Sequence, residues 1–209
     1  MSGKTARLNR INQRKSEIDV SDVIFWHGGA PGLTVGATVL PRSRHSLGSL
    51  PVLLPAGYGP NPNRADRVYV TSDRELARAY ASRFSTKFPA DGRAGVLYGV
   101  EPHAPIETDG DYAHVSATFS IQCGFALVTE VAESPVVMSE LDARAEALKY
   151  STWDDGKPMY DSEGAVNPDP GMRRAGLTTA DTSAIWGPWT PFNERRWEAD
   201  VKAYLSRKK

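Results

Sequence analysis

Arg67-Val68-Tyr69-Val70-Thr71 alternates as a short strand does and runs without a spacer into Ser72-Asp73-Arg74-Glu75. A serine able to cap the N3 amide, with a glutamate three positions on that reaches back, is a capping box and starts a helix. Leu76, Ala77, Tyr80, Ala81 and Phe84 then recur at helical spacing, which gives that helix one apolar face. Strand followed at once by helix is the most restrictive signal in the chain.

Three other segments read as strands. Val23-Ile24-Phe25-Trp26-His27 is β-branched and aromatic and ends in Gly28-Gly29, so His27 is expected at a strand end. Val96-Leu97-Tyr98-Gly99-Val100 is closed by Glu101-Pro102, and Gly124 to Val131 sets Phe125, Leu127, Thr129 and Val131 on one side. After Pro135, Ser139 caps a helix that presents Leu141, Ala145 and Leu148. Asn193 caps a last helix with a stripe of Trp197, Val201, Tyr204 and Leu205, its charges running from Glu194 to Lys208-Lys209 in the sense of the helix dipole. Residues 41 to 66 read as a long loop around Val52-Leu53-Leu54, and 154 to 191 as a connection anchored by Trp186 and Trp189. The reading is an α+β fold: a basic arm over 1–19 (Lys4, Arg7, Arg10, Arg14, Lys15), a body over 20–135, and a helical and loop extension over 136–209 packed on or beside the core.

Lysine plus arginine equals aspartate plus glutamate, 25 against 25, which argues against broad nonspecific nucleic-acid binding. The single cysteine, Cys123, cannot make an internal disulfide or a cysteine zinc site and suits a reducing compartment. No apolar run approaches the roughly 20 residues that cross a bilayer, and the N-terminal stretch is not apolar. The expectation is a cytoplasmic protein with no membrane partner.

Several familiar motifs fail on inspection. Ser2-Gly3-Lys4-Thr5 lacks the first glycine and the preceding strand of a phosphate loop, and Gly28-Gly29-Ala30-Pro31-Gly32 matches no dinucleotide fingerprint. His27, His45, His103 and His114 contain no i, i+4 pair, so no metal is expected on one helix. The acids at Asp154-Asp155 and from Asp161 to Asp169 lack a calcium loop's alternation and final glutamate. No Gly-x-Ser-x-Gly elbow exists, and Cys123 has no catalytic flanks. A strand-end histidine, a strand tyrosine and an acidic segment after the third strand remain.

Those three segments, in their order, resemble the rifamycin ADP-ribosyltransferase family. Phe25-Trp26-His27-Gly28 resembles its opening Tyr-His-Gly-Thr, and Val68-Tyr69-Val70-Thr71 before a helix resembles its second motif. Tyr98-Gly99-Val100-Glu101-Pro102-His103-Ala104-Pro105-Ile106-Glu107 is similar to its Val-Glu-Pro strand and Pro-Ile-Glu, and Phe125 to Val131 to its closing strand. The resemblance covers about residues 23 to 133. It implies a small split β-sheet with NAD in the cleft as co-substrate. His27, Gly28, Tyr69, Thr71 and Tyr80 would contact NAD, and Asp109, with Glu107 and Asp111 as alternatives, would act at the ribose. The family's two aspartates after the glutamate are Thr108-Asp109 here. The implied activity is transfer of ADP-ribose to an acceptor: the hydroxyl of a rifamycin-type antibiotic, or alternatively a protein or nucleic acid. Glu130 and Glu133 stand at the wrong interval for the Glu-x-Glu of arginine-specific relatives. A reading from another class makes the chain a non-catalytic docking module of a larger assembly.

Overall fold

The computed structural model describes residues 18–44, 64–83 and 95–207. Residues 1–17 of the arm, His45, the Val52-Leu53-Leu54 fragment, Phe84 and Lys208-Lys209 lie outside the described residues. The fold is α+β. Five strands, β1 (Phe25–Gly29), β2 (Thr38–Val39), β3 (Val68–Thr71), β4 (Val96–Thr108) and β5 (Ser120–Glu133), form one antiparallel sheet in the order β2-β5-β3-β1-β4. β4 and β5, at 13 and 14 residues, are long enough to pair with different neighbours along their length. β4 therefore meets β1 over Val96–Val100 and β5 over Leu97–Thr108, while β5 also meets β3 over Ser120–Cys123. β1, β4, β5 and β3 thus form a closed circuit whose weakest link is β1 to β3, a single pair, Trp26 opposite Thr71.

Alternation along each strand fills this circuit. Phe25, Val68, Val70, Val96, Tyr98, Val100 and Ile121 turn inward, and the period of two leaves Tyr69 and Thr71 on the other face of β3. Tyr98 is fully buried and donates its hydroxyl to the Ala30 carbonyl at 2.7 Å. On β5 the inward residues are Ile121 and Cys123 and then Ala126 and Val128, not Phe125 and Leu127 as the alternation suggested. The face changes across Gly124–Phe125, where β4 sets two residues, Ala104 and Pro105, against the single Gly124 between the pairs His103–Phe125 and Ile106–Cys123. A bulge of this kind re-aims the side chains beyond it. β4 itself runs eight residues past the Val100 stop read from the sequence, because β5 pairs with it as far as Thr108.

Helix α1 (Arg74–Ser82) covers the outside of β1 with Leu76, Ala77, Ala79 and Ala81 buried. Its cap is Asp73, whose side chain accepts from the Glu75 and Leu76 amides. Ser72 lies one residue before the cap, and its hydroxyl donates to the Phe119 carbonyl at 3.2 Å. Gly28 lies directly beneath the helix: a Cβ there would sit 2.0 Å from the Ala77 carbonyl oxygen and 2.6 Å from the Ala81 nitrogen. Both obstacles are backbone, so Gly28→Ala must push α1 off the sheet, and overpacking of this kind costs about 1–3 kcal/mol or more. A urea denaturation midpoint equal to wild type would show that α1 is not held against β1. Arg78 secures the helix on another side, pairing with Glu133 of β5 at 2.7 Å and with Glu75 at 2.6 Å.

Helix α2 (Glu140–Leu148) starts at Ser139, which accepts from the Asp142 amide. It buries Leu148, as expected, together with Ala143, whereas Leu141 in its first turn is 51% exposed. Two short helices, α3 (Pro170–Arg174) and α4 (Thr179–Ile185), interrupt the stretch read as a plain connection. Asp169 caps the first, with proline in its first turn, and Thr178 with Asp181 forms a full capping box on the second. Helix α5 (Glu194–Arg207) follows Asn193, whose side chain accepts from the Arg196 amide at 3.0 Å. These elements share their own cluster around Trp197, with Leu148, Trp153, Tyr160, Val166, Met172, Leu177 and Trp186.

Candidate functional site

His27 follows the single pair that joins β1 to β3 and lies opposite Tyr98 of β4. Its Nδ1 lies 3.0 Å from the Tyr69 carbonyl oxygen. A carbonyl only accepts, so Nδ1 carries the proton and Nε2 keeps its lone pair when the ring is neutral. Burial lowers the His27 pKa, with the Tyr69 carbonyl opposing that shift, and holds the ring neutral. Gly29 leaves the Nε2 edge unobstructed, for a Cβ there would stand 2.7 Å from Nε2. His27 is thus the middle residue of β1 rather than its end, because β4 goes on to pair with Gly28 and Gly29, and it offers an acceptor nitrogen two positions from a glycine that leaves it room.

The sign of the His27 shift has a measurable consequence. Protonation is harder in the folded chain than in the unfolded one, where the value is near 6.5. The stability this group supports is therefore complete above that value and falls as pH drops below it. Unfolding by urea at about pH 7.5 and about pH 5.5 is expected to show a smaller acid loss in His27→Gln than in wild type. An equal loss would assign the acid sensitivity to another group.

Tyr69 projects from the outward face of β3, and its hydroxyl accepts from the Arg64 amide at 2.6 Å. Burial raises its pKa, and the carboxylates of Asp109 and Asp111 add to the rise; both acids are near enough to act on the phenol. Tyr80, from α1, bonds Tyr112 through their hydroxyls at 3.0 Å. Tyr80 is 43% exposed overall, yet burial around its hydroxyl raises its pKa, as it does for Tyr112, and again Asp109 and Asp111 contribute. Three phenols thus feel the charge of one pair of acids.

The two acids are placed differently. Asp109 is 6% exposed and follows directly on β4, where its amide donates to the Ser120 carbonyl at 2.9 Å. One carboxylate oxygen accepts from the Asp111 amide at 3.2 Å, and the other from the Ser120 hydroxyl at 2.9 Å. Those bonds fix it as the cap of the 3-10 turn Gly110–Tyr112. Asp111 is on the exposed side of that turn, and its pKa is raised by burial of the carboxyl and by the neighbouring Asp109. Glu107 faces the other way electrostatically, toward Arg64 at 3.5 Å and Arg67 at 4.0 Å.

Of the remaining residues expected at the site, Gly28 is taken up by contact with α1, as described. Thr71 is 5% exposed, and its hydroxyl donates to the Phe119 carbonyl at 2.8 Å while accepting from the Asp73 amide at 3.1 Å. It latches the turn from β3 into α1. The structure joins His27 to Tyr69, puts Tyr69 and Tyr80 within the electrostatic reach of Asp109 and Asp111, and adds Tyr112 and Ser120, which sequence reasoning passed over. Their only linear signal is proximity to the acids. Two cavities, of about 860 and about 380 Å³, share none of these residues. No helix among the described residues is long and apolar enough to cross a membrane. Comparison of the chain with protein-family models gives no match, and comparison with curated proteins gives none either.

Proposed function

We propose that the chain is an NAD-dependent mono-ADP-ribosyltransferase that releases nicotinamide and passes ADP-ribose to a hydroxyl acceptor, of which a rifamycin-type antibiotic is the first to try. The observation that carries this reading is the neutral His27 ring, proton on Nδ1 and lone pair on Nε2, bonded to the backbone of Tyr69, the phenol on which the Asp109 and Asp111 carboxylates act. Nε2 suits a ribose hydroxyl donor. Tyr69 supplies an aromatic face for the nicotinamide, worth about 1 kcal/mol by analogy with aromatic pairs. The lone Cys123 thiol and the absence of any disulfide suit work in a reducing cytoplasm.

The chemistry asks little of an acid catalyst. Nicotinamide leaves a cationic ring as a neutral molecule, so the bond to the ribose carbon breaks with its electron pair going to the departing ring. Charge then develops on the ribose, as in glycoside cleavage, and a carboxylate held beside it lowers the barrier. Asp109, gripped by Ser120 and the Asp111 amide, is preorganised for that duty. The acceptor oxygen forms the new bond to the ribose carbon and gives up its proton, for which Asp111, with its raised pKa, is the base.

The test is incubation of the chain with labelled NAD and separate acceptors: rifampicin, cell protein and nucleic acid. Label on rifampicin together with free nicotinamide is the expected result. Label on protein or nucleic acid would keep the reaction and change the acceptor. His27→Ala and Tyr69→Ala are each expected to slow nicotinamide release by at least about tenfold, near 1.4 kcal/mol of barrier. Absence of calorimetric binding at millimolar NAD in the wild type would remove the enzyme reading in favour of a docking module.

A further inference from the structure

We propose that the C-terminal cluster carries a second binding site, a groove that takes a hydrophobic organic cation. The groove has a volume of about 860 Å³ and lies between α5 and the segment that leads into α3. That is within the range of about 300–1,000 Å³ usual for small-molecule pockets. Its apolar wall is built from Trp153, Met172, Phe192 and Trp197. The Trp197 ring is 1% exposed, and its indole N–H has no acceptor among the described residues.

Charge selects the occupant. Asp154, Asp169, Glu194 and Glu198 line the groove against a single cation, Lys202. Asp169 is partly spent on the Met172 amide, which it caps at 2.7 Å. The carboxylates of Asp154, Glu194 and Glu198 have no hydrogen bond or ion pair among the described residues. Glu194 and Glu198 also stand four apart on one helix, an arrangement of like charges that weakens a helix unless something positive lies between. Apolar side chains and unspent carboxylates along one groove match a ligand with an aromatic or aliphatic body and a positive charge that the acids attract. None of these residues belongs to the site around His27, so the inference is independent of the activity proposed above.

Tetraphenylphosphonium and tetraphenylborate have the same shape and opposite charge, and tryptophans on the wall supply an intrinsic fluorescence signal. Titration of the full chain with the phosphonium is expected to quench that signal with a dissociation constant of about 100 µM or tighter, and the borate to bind at least about tenfold more weakly. The double substitution Glu194→Gln and Glu198→Gln, at two exposed positions, is expected to weaken phosphonium binding by about tenfold or more while the circular dichroism stays unchanged. Equal binding of the two ions, no quenching at about 1 mM phosphonium, or an unaffected double variant would each overturn the assignment. So would a lysine-rich peptide that binds where the phosphonium does not.

Discussion

Trp197→Ala is expected to lower the unfolding free energy by about 3–5 kcal/mol, the range for truncating a buried tryptophan. The ring is 1% exposed and stacks on Trp186 with centroids 4.1 Å apart and planes 21° from parallel. It also meets Trp153 and Phe192 edge-on, at 6.0 and 5.1 Å. Alanine would open a cavity flanked by three rigid rings, and rigid surroundings relax least into such a space. Urea denaturation followed by tryptophan fluorescence and by circular dichroism measures the loss. Leu141→Ala, at a position 51% exposed, should stay within about 0.5 kcal/mol of wild type. A Trp197→Ala protein as robust as that control would mean that α5 is not part of the cooperative fold.

The second large effect concerns the acids. Asp109→Asn is expected to slow nicotinamide release by about 100- to 1,000-fold, the usual result of removing one preorganised electrostatic group. Asparagine keeps the size and can still bond Ser120, so the loss would report charge. Asp111→Asn is expected to differ in kind: release from NAD with water as acceptor persists, and transfer to the acceptor hydroxyl falls. Because the Asp111 pKa is raised, transfer by the wild type should also decline with acidification at a pH above the usual carboxylate range. If neither substitution altered either rate by more than about threefold, the carboxylates would have no part in the chemistry.

How much of this was legible in the chain depends on the range of the interactions that decide each feature. The succession of β3 and α1 was legible because both periods, two and then helical, are local. The cap of α1 was misplaced by one residue because the hydroxyls of Thr71 and Ser72 are both drawn to the Phe119 carbonyl, a contact across nearly fifty positions. The inward face of β5 was misread for a similar reason, since the bulge that changes it lies on β4. Helices α3 and α4 carried their capping signals in plain view, Asp169-Pro170 and Thr178 with Asp181, but at five and seven residues they are too short for periodicity to register. At the candidate site, His27, Tyr69 and Asp109 came from motif resemblance. The grip of Ser120 on Asp109 and the link between Tyr80 and Tyr112 needed the fold.

Asp73 carries two duties at once. One oxygen closes the start of α1, and the other receives the Tyr150 hydroxyl at 2.5 Å, with Lys149 at 3.4 Å. The residues after β5 therefore reach back to the turn that seats α1 over Gly28, one position from His27. A truncated chain ending at Glu133 would lose those two partners and fray that helix from its first turn. The tail would then behave as a clasp, whose removal loosens the seat of that helix without touching His27, Tyr69 or the Asp109 and Asp111 carboxylates.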